Sequence, residues 1–367
     1  MNGLRSVSWT LALLLAGLVS ACHREIKLST ESVIAGYPAW IEVGEEHGEQ
    51  LAPAANFAFG VMTATMETLD PERPDSDLNK LNRVANTVRL QVSRNTFRLL
   101  DLIHHYSGLT AGTIDPTVYP LEKAWGLHGK APEEEPSPEL LEALRIGVGR
   151  DFVELFDQGA VAFTSPNTQI HLGRFGTAYA VDLAALDLRR RGYSSVHVQL
   201  DGFQRVLGMR SAAKAWVAPV SHPFLDTAFT GFLTLEGTHT SLTVLRLYDQ
   251  PLNVGDHIYG GILDPRNGRP AEGTALVAVT GPSATMAAAL AQALLVAGLK
   301  GAPALLSAFP KCEALVIPDQ QPEELWMTSG WQERFTVTAD STNQQHTLER
   351  AATPADGDEP ATPAPES

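Results

Sequence analysis

The amino-acid sequence predicts an α+β fold, a single mixed sheet-and-helix domain. Strand-like and helix-like segments are interspersed along the 367 residues without the strict βαβ alternation of a doubly wound sheet. The composition, 44% hydrophobic and 19% charged, suits a globular protein with a substantial core. No internal repeat is visible. The elements follow in order. "AWIEVG" alternates as a strand does. "DLNKLNRVA" and "SRNTFRLLDLIHHYSGLTAG" show helical spacing; in the second, Phe97, Leu100, Ile103 and Leu109 recur every three to six residues, with Ser93 as N-cap and Gly108 or Gly112 as the stop. A polar, proline-rich loop, "GKAPEEEPSPE", precedes a helix capped by Ser137. "DFVELFDQGAVAFTSPNTQIHLG" reads as two strands joined through "DQG", and "AVDLAALDLRRRGY" as an amphipathic helix. "SSVHVQLDGFQRVLG", "AWVAPV", "TSLTVLRLY" and "TALVAVTG" read as strands. "SATMAAALAQALLVAG" is helical, with Ser283 as N-cap and Gly298 as C′ residue, and too short and alanine-rich for a membrane span.

Charge and chain ends narrow the function classes. A formal net charge of -15 repels phosphate backbones and argues against nucleic-acid binding. At the N-terminus, "MNGLRSVSWTLALLLAGLVSAC" places Arg5 before an apolar run from Trp9 to Val19, then small residues and Cys22. This is the layout of a secretory signal ending in a bacterial lipobox, with Cys22 as the lipidation site; the alternative is an ordinary signal with an incidental cysteine. The expected organisation is a signal peptide over 1–22, a tether over 23–32, a globular domain over 33–335 and a disordered acidic, proline-rich tail over 336–367. The expected location is the cell envelope, the chain held by its lipid to a bacterial membrane and facing the periplasm or exterior. With Cys22 lipidated, Cys312 has no disulfide partner, and thiolate zinc sites are excluded.

Six segments in order, "RPDSDLNKLNRVA", "TIDPTVYPLEKAWGL", "HLGRFGTAYAVD", "VQLDGFQRVLG", "YGGILDPRNGRP" and "MAAALAQALLVAG", resemble the FAD:protein FMN transferases, the ApbE-like family once named thiamine biosynthesis lipoproteins. The resemblance spans roughly Val33 to Pro318 and implies the family's T-fold-like α+β domain. It also implies FAD as ligand, Mg²⁺-assisted pyrophosphate cleavage, and FMN transfer to a threonine of a partner protein, here a flavin acceptor of the envelope. The family pattern puts Thr113, Ile114, Asp115, Thr117 and Tyr179 at the cofactor. Asp115 either bonds a flavin ring edge or simply opens a turn before Pro116. Tyr119, where the family has glycine, either stacks on an aromatic ring or blocks the groove. "SGLTAGT", from Ser107 to Thr113, echoes an FMN-acceptor sequence, or is a helix C-cap.

The departures are concentrated where charge is handled. In the glycine turn the family's opening carboxylate is His171, the residue that faces the nucleotide is Thr177, and Arg174 replaces a small residue. Arg174 either crowds the turn or binds a phosphate with its guanidinium. On the last helix the family's Asp and Thr, four apart on one face, are Ala288 and Gln292, so no magnesium ligand is retained there. The histidine expected three residues before Asp264-Pro265 is Gly261, with His257 either a displaced substitute or a surface residue. Asp201 and Gly202 stand where the family has paired glycines. The resulting reading is a family member with weak or lost transfer activity. The alternative is a non-catalytic, lipid-anchored scaffold that binds flavin or a partner.

Overall fold

The computed structural model describes residues 28–237, 240–338 and 343–351. Cys22, the signal segment and the last part of the tail lie outside the described residues.

A nine-stranded sheet organises the molecule, and its strands stand side by side in chain order: Ser29–Ile34, Tyr37–Val43, Val196–Leu200, Phe203–Leu207, Ser241–Arg246, Thr274–Gly281, Glu313–Pro318, Glu324–Met327 and Gln344–Thr347. Neighbours are antiparallel up to the last pair, which is parallel. Successive strand side chains point to opposite faces, so an unbroken apolar strand signals burial on both. Thr274–Gly281 is such a strand. Val277 and Val279 enter a helix-covered core, while Leu276 and Ala278 enter a second core. The helix layer is built from Leu51–Thr68, Arg94–Leu109, Gly173–Arg190 and Ala284–Ala308. The opposite face is covered by a three-stranded sheet of Trp216–Ser221, Phe229–Leu235 and Phe335–Val337, with Trp216 and Trp331 fully buried between. A third, smaller core gathers Leu121, Trp125, Leu141, Leu252 and Leu263 and supports the site described below.

Local signals act as their chemistry requires. Ser93, Ser137 and Ser283 each accept a backbone N–H in the first turn of their helices. Gly298 leaves the helical conformation at φ 61°, a region that glycine reaches without steric cost. The helix resumes beyond it and runs to Ala308 because Leu305 and Leu306 continue the buried face. This helix is long and apolar enough to span a membrane, yet it packs on the sheet as a core helix.

The expected tether and tail boundaries need correction. Ser29–Ile34, inside the stretch assigned to a tether, pairs with Tyr37–Val43. Phe335–Val337 and Gln344–Thr347 carry paired structure past residue 336. Ser29–Ile34 and Gln344–Thr347 form the two edges of the main sheet and are largely polar and exposed, so hydropathy does not reveal their pairing.

Candidate functional site

The site forms where three segments meet. The first is the Asp-Pro turn. Asp115 caps the short turn Pro116–Val118, accepting bonds from Thr117 N at 2.9 Å and Thr117 Oγ1 at 2.5 Å. Thr117 Oγ1 in turn accepts from Gly149 N at 2.7 Å. Burial pushes the Asp115 pKa up, and the bonds from Thr117 oppose this. Thr113 and Thr110 are buried, their hydroxyls donating to the carbonyls of Thr110 and Tyr106. Thr110 is the C-cap of its helix, so "SGLTAGT" serves as a helix ending.

The second segment is the short helix Tyr119–Ala124. Leu121 and Trp125, four apart, face the small core, where Trp125 Nε1 donates to the Gly268 carbonyl at 2.8 Å. Tyr119 and Glu122, three apart, therefore share the other face. The Tyr119 hydroxyl donates to Glu72 at 2.6 Å, and burial and this carboxylate push its pKa up. Gly126 then turns the chain at φ 81°; a Cβ there would stand 2.5 Å from the Ala131 Cα. That tight turn returns His128 to Glu122, Nε2 to Oε2 at 2.7 Å.

The third segment is the glycine turn. His171 N donates to the Pro116 carbonyl at 2.9 Å, which ties the turn to the first segment. The His171 ring stacks on Tyr119 at 5.3 Å between centroids, and its Nδ1 lies 3.1 Å from the same Glu122 oxygen. Burial alone would raise the Glu122 pKa; the hydrogen bonds from His128 and His171 hold it instead at about 2. Helix Gly173–Arg190 starts immediately after, with no side chain capping its N-terminus.

A cavity of about 200 Å³ opens before this helix end, lined by Gly173, Arg174, Phe175 and Thr177 together with Asp115, Glu122, His128 and His171. Asp201, Asp249 and Gln292 add charged and polar groups to its lining, and Gly261 adds backbone. A second cavity, of about 420 Å³, adjoins the first and shares Tyr37, His171, Gly173 and Thr177 with it. Asp201 holds φ 53°, the left-handed region, at a two-residue hairpin; Gly202 beside it has no room for a Cβ, which would meet the Val244 carbonyl at 2.3 Å. Burial raises the Asp201 pKa, Asp249 raises it further, and Arg174 and Arg246 oppose them.

Of the residues assigned to the cofactor from sequence, Asp115 lines the first cavity. Thr113, Ile114 and Thr117 are buried and do not line it. Tyr179 faces a different cavity, between the helices, with Thr65, Ser93 and Thr96, and its hydroxyl has no partner among the described residues. Gln292 reaches the first cavity, while Ala288, one turn earlier, is in the main core. His257 is exposed on a two-stranded ribbon, outside that lining. Asp264 is engaged by the Arg266 guanidinium at 2.7 Å and 2.8 Å and accepts from Arg266 N, a turn-forming role. Glu122, His128 and Asp249 went unremarked in the sequence. Glu122 and His128 flank the turn glycine within "YPLEKAWGLHG", but nothing local pairs them with His171, 49 residues from Glu122.

A profile of the ApbE family matches residues 34–316. Two relatives named FAD:protein FMN transferase are similar to the chain. The Vibrio cholerae protein is 27% identical over 230 residues, covering 62% of this chain and 68% of the relative. The Rhodobacter capsulatus protein is 30% identical over 191 residues, 51% of this chain but only 35% of that relative's length. The ApbE protein of Thermotoga maritima superposes with a TM-score of 0.74 at 22% identity, over 83% of this chain and 98% of that one, so the α+β architecture is shared. With the profile running from the first strand of the sheet to its seventh and the glycine turn at the head of a cavity, the chain belongs to the ApbE family.

Proposed function

We propose that the chain is a lipid-anchored envelope protein that binds a flavin nucleotide at the glycine turn and has weak or lost FMN-transfer activity. The uncapped N-terminus of Gly173–Arg190 offers backbone N–H groups and a partial positive charge to a phosphate, and Arg174 adds a guanidinium beside it. The two adjoining cavities share the glycine turn in their walls, which supports a two-part ligand whose phosphates lie at the turn.

The observation that carries the weak or lost chemistry is the packing at Gly261. A Cβ there would stand 2.2 Å from the Gln250 carbonyl oxygen, so the backbone has closed over the place where the family pattern has histidine. Ala288 and Gln292 point the same way. Neither supplies the carboxylate that a hard dication requires, and the residues present do not fit a magnesium ion at that helix. Asp115, Asp201 and Asp249 also crowd carboxylates around the space a pyrophosphate would enter.

The test is direct. The protein is incubated with FAD, Mg²⁺ and an acceptor carrying an FMN-attachment threonine, and covalent flavin fluorescence is read on a denaturing gel. The expected outcome is saturable FAD binding with little or no covalent product; robust transfer overturns the proposal. The anchor is tested separately, by lipid labelling that Cys22→Ala abolishes.

A further inference from the structure

We propose that Glu122, His128 and His171 form a binding site for a borderline divalent transition metal, Zn²⁺ above all, at the rim of the flavin cavity. The three ligand atoms lie within 4.8 Å of one another, the only such grouping of His, Cys, Asp or Glu among the described residues. Two imidazole nitrogens and one carboxylate oxygen are the donor set of open zinc sites, three protein ligands with a fourth position left free. Magnesium prefers an all-oxygen shell and is excluded by the same donors.

The packing around the cluster favours preorganisation. Both imidazoles already converge on the same oxygen, Glu122 Oε2, at 2.7 and 3.1 Å. Metal entry replaces these two contacts with metal–nitrogen bonds; ligand atoms about 2.0 Å from a tetrahedral ion stand roughly 3.3 Å apart, so the two nitrogen–oxygen separations need open by only a few tenths of an ångström. Tyr119 holds the rings from the side, stacked on His171 and edge-on to His128, and is itself fixed by its bond to Glu72. Gly173 leaves the room that His171 needs, since a Cβ there would stand 3.1 Å from the ring. Glu122 is held on a helix whose opposite face is anchored by Trp125. All three ligands line the 200 Å³ cavity, so the free position is accessible to water or to a phosphate oxygen. The inference stands on this cluster and does not rest on flavin transfer.

The full-length protein, stripped with chelator, is titrated with Zn²⁺ by calorimetry and with Co²⁺ by visible absorption. One equivalent of either ion is expected to bind, with the intense d–d bands of low-coordinate cobalt, while Mg²⁺ does not compete at millimolar level. Glu122→Gln, His128→Asn and His171→Asn each weaken Zn²⁺ by about 100-fold or more, as loss of one ligand in three requires. His257→Asn, outside the cluster, leaves the affinity unchanged. His128 is exposed, so its variant keeps the fold and provides the decisive arm; circular dichroism confirms this. Absence of one-equivalent binding, binding that survives His128→Asn, or tighter binding of Mg²⁺ than of Zn²⁺ each overturns the proposal.

Discussion

Two helix N-termini, one opening Gly173–Arg190 and the other docked against the middle of that helix, behave in opposite ways. Helix Gly173–Arg190 begins at Leu172 with no side-chain cap and faces the cavity. Helix Ala284–Ala308 is capped twice. Ser283 accepts from Met286 N at 3.2 Å, and Asp182 accepts from Ala284 N and Thr285 N, each at 2.9 Å, and from Thr285 Oγ1 at 2.6 Å. Asp182 itself belongs to the first helix, nine residues beyond its open start. One N-terminus is thus sealed into the scaffold and the other left without a side-chain cap at the cavity. On the function proposed above, an anion site is made by withholding a cap, since orphan N–H groups must otherwise be satisfied from within the protein.

The sealed end is expected to give the largest effect. Asp182→Ala removes a cap and strands Arg205, whose side chain is 13% exposed and paired with Asp182 at 2.5 Å. A destabilisation of about 3–5 kcal/mol is expected from breaking such a buried pair, read by urea unfolding. A loss below about 1 kcal/mol would mean that the scaffold does not depend on this seal.

The next test installs the family pattern on the same helix. Ala288→Asp with Gln292→Thr places a carboxylate at a position only 1% exposed. Without metal the change is expected to cost about 2–4 kcal/mol, as burying an unpaired charge does. Mg²⁺ should recover part of that cost as a rise in Tm confined to the variant. A Tm indifferent to Mg²⁺ would mean that this helix face no longer converges on a cation position.

At the open end the effects are smaller. Arg174→Gln is expected to weaken pyrophosphate binding by about 10-fold, the worth of one charge-assisted bond at a half-exposed site. Isothermal titration measures it, and an unchanged affinity would assign Arg174 to the solvent face. Smallest is Asp201→Gly. It relieves a left-handed φ at a cost glycine does not bear and should stabilise the fold by about 1 kcal/mol.

The pH response follows from the sign of the Asp201 shift. Its folded pKa is raised, so the ionised form is penalised, first by burial and then by Asp249. Stability is lost as pH rises from the ordinary value of 3.8 through the raised one and regained as pH falls. Pyrophosphate affinity should likewise strengthen as pH falls through that window, and Asp201→Gly should flatten this part of the profile. A parent profile identical to that of the variant would remove Asp201 from the anion's surroundings.

Much of the fold was legible because its causes are local. Serine caps at 93, 137 and 283, the turn glycines and the doubly apolar strand Thr274–Gly281 announce themselves by side-chain chemistry within a few residues. The edge strands were not legible, because polar segments such as "QQHT" reveal no apolar face and their pairing depends on a distant partner. Motif order in the sequence pointed to Asp115 and the glycine turn, and both line the first cavity. The site was illegible where the contacts are long-range. Tyr179 carries a family motif yet faces another cavity, and Glu122 and His128 meet His171 only because the Gly126 turn and the His171–Pro116 bond bring their segments together.

By itself the sequence determined the α+β class, the helix caps and the ApbE kinship, all of which reside in residue type and spacing along the chain. Only the tertiary structure decided that Gly261 has no room for a side chain, that Asp182 seals one helix while Leu172 leaves another open, and that two histidines converge on one carboxylate. The physical reason is range. Propensity and patterning act over a turn or two, whereas steric closure and charge pairing are set by atoms that adjoin only after the sheet and helices have packed.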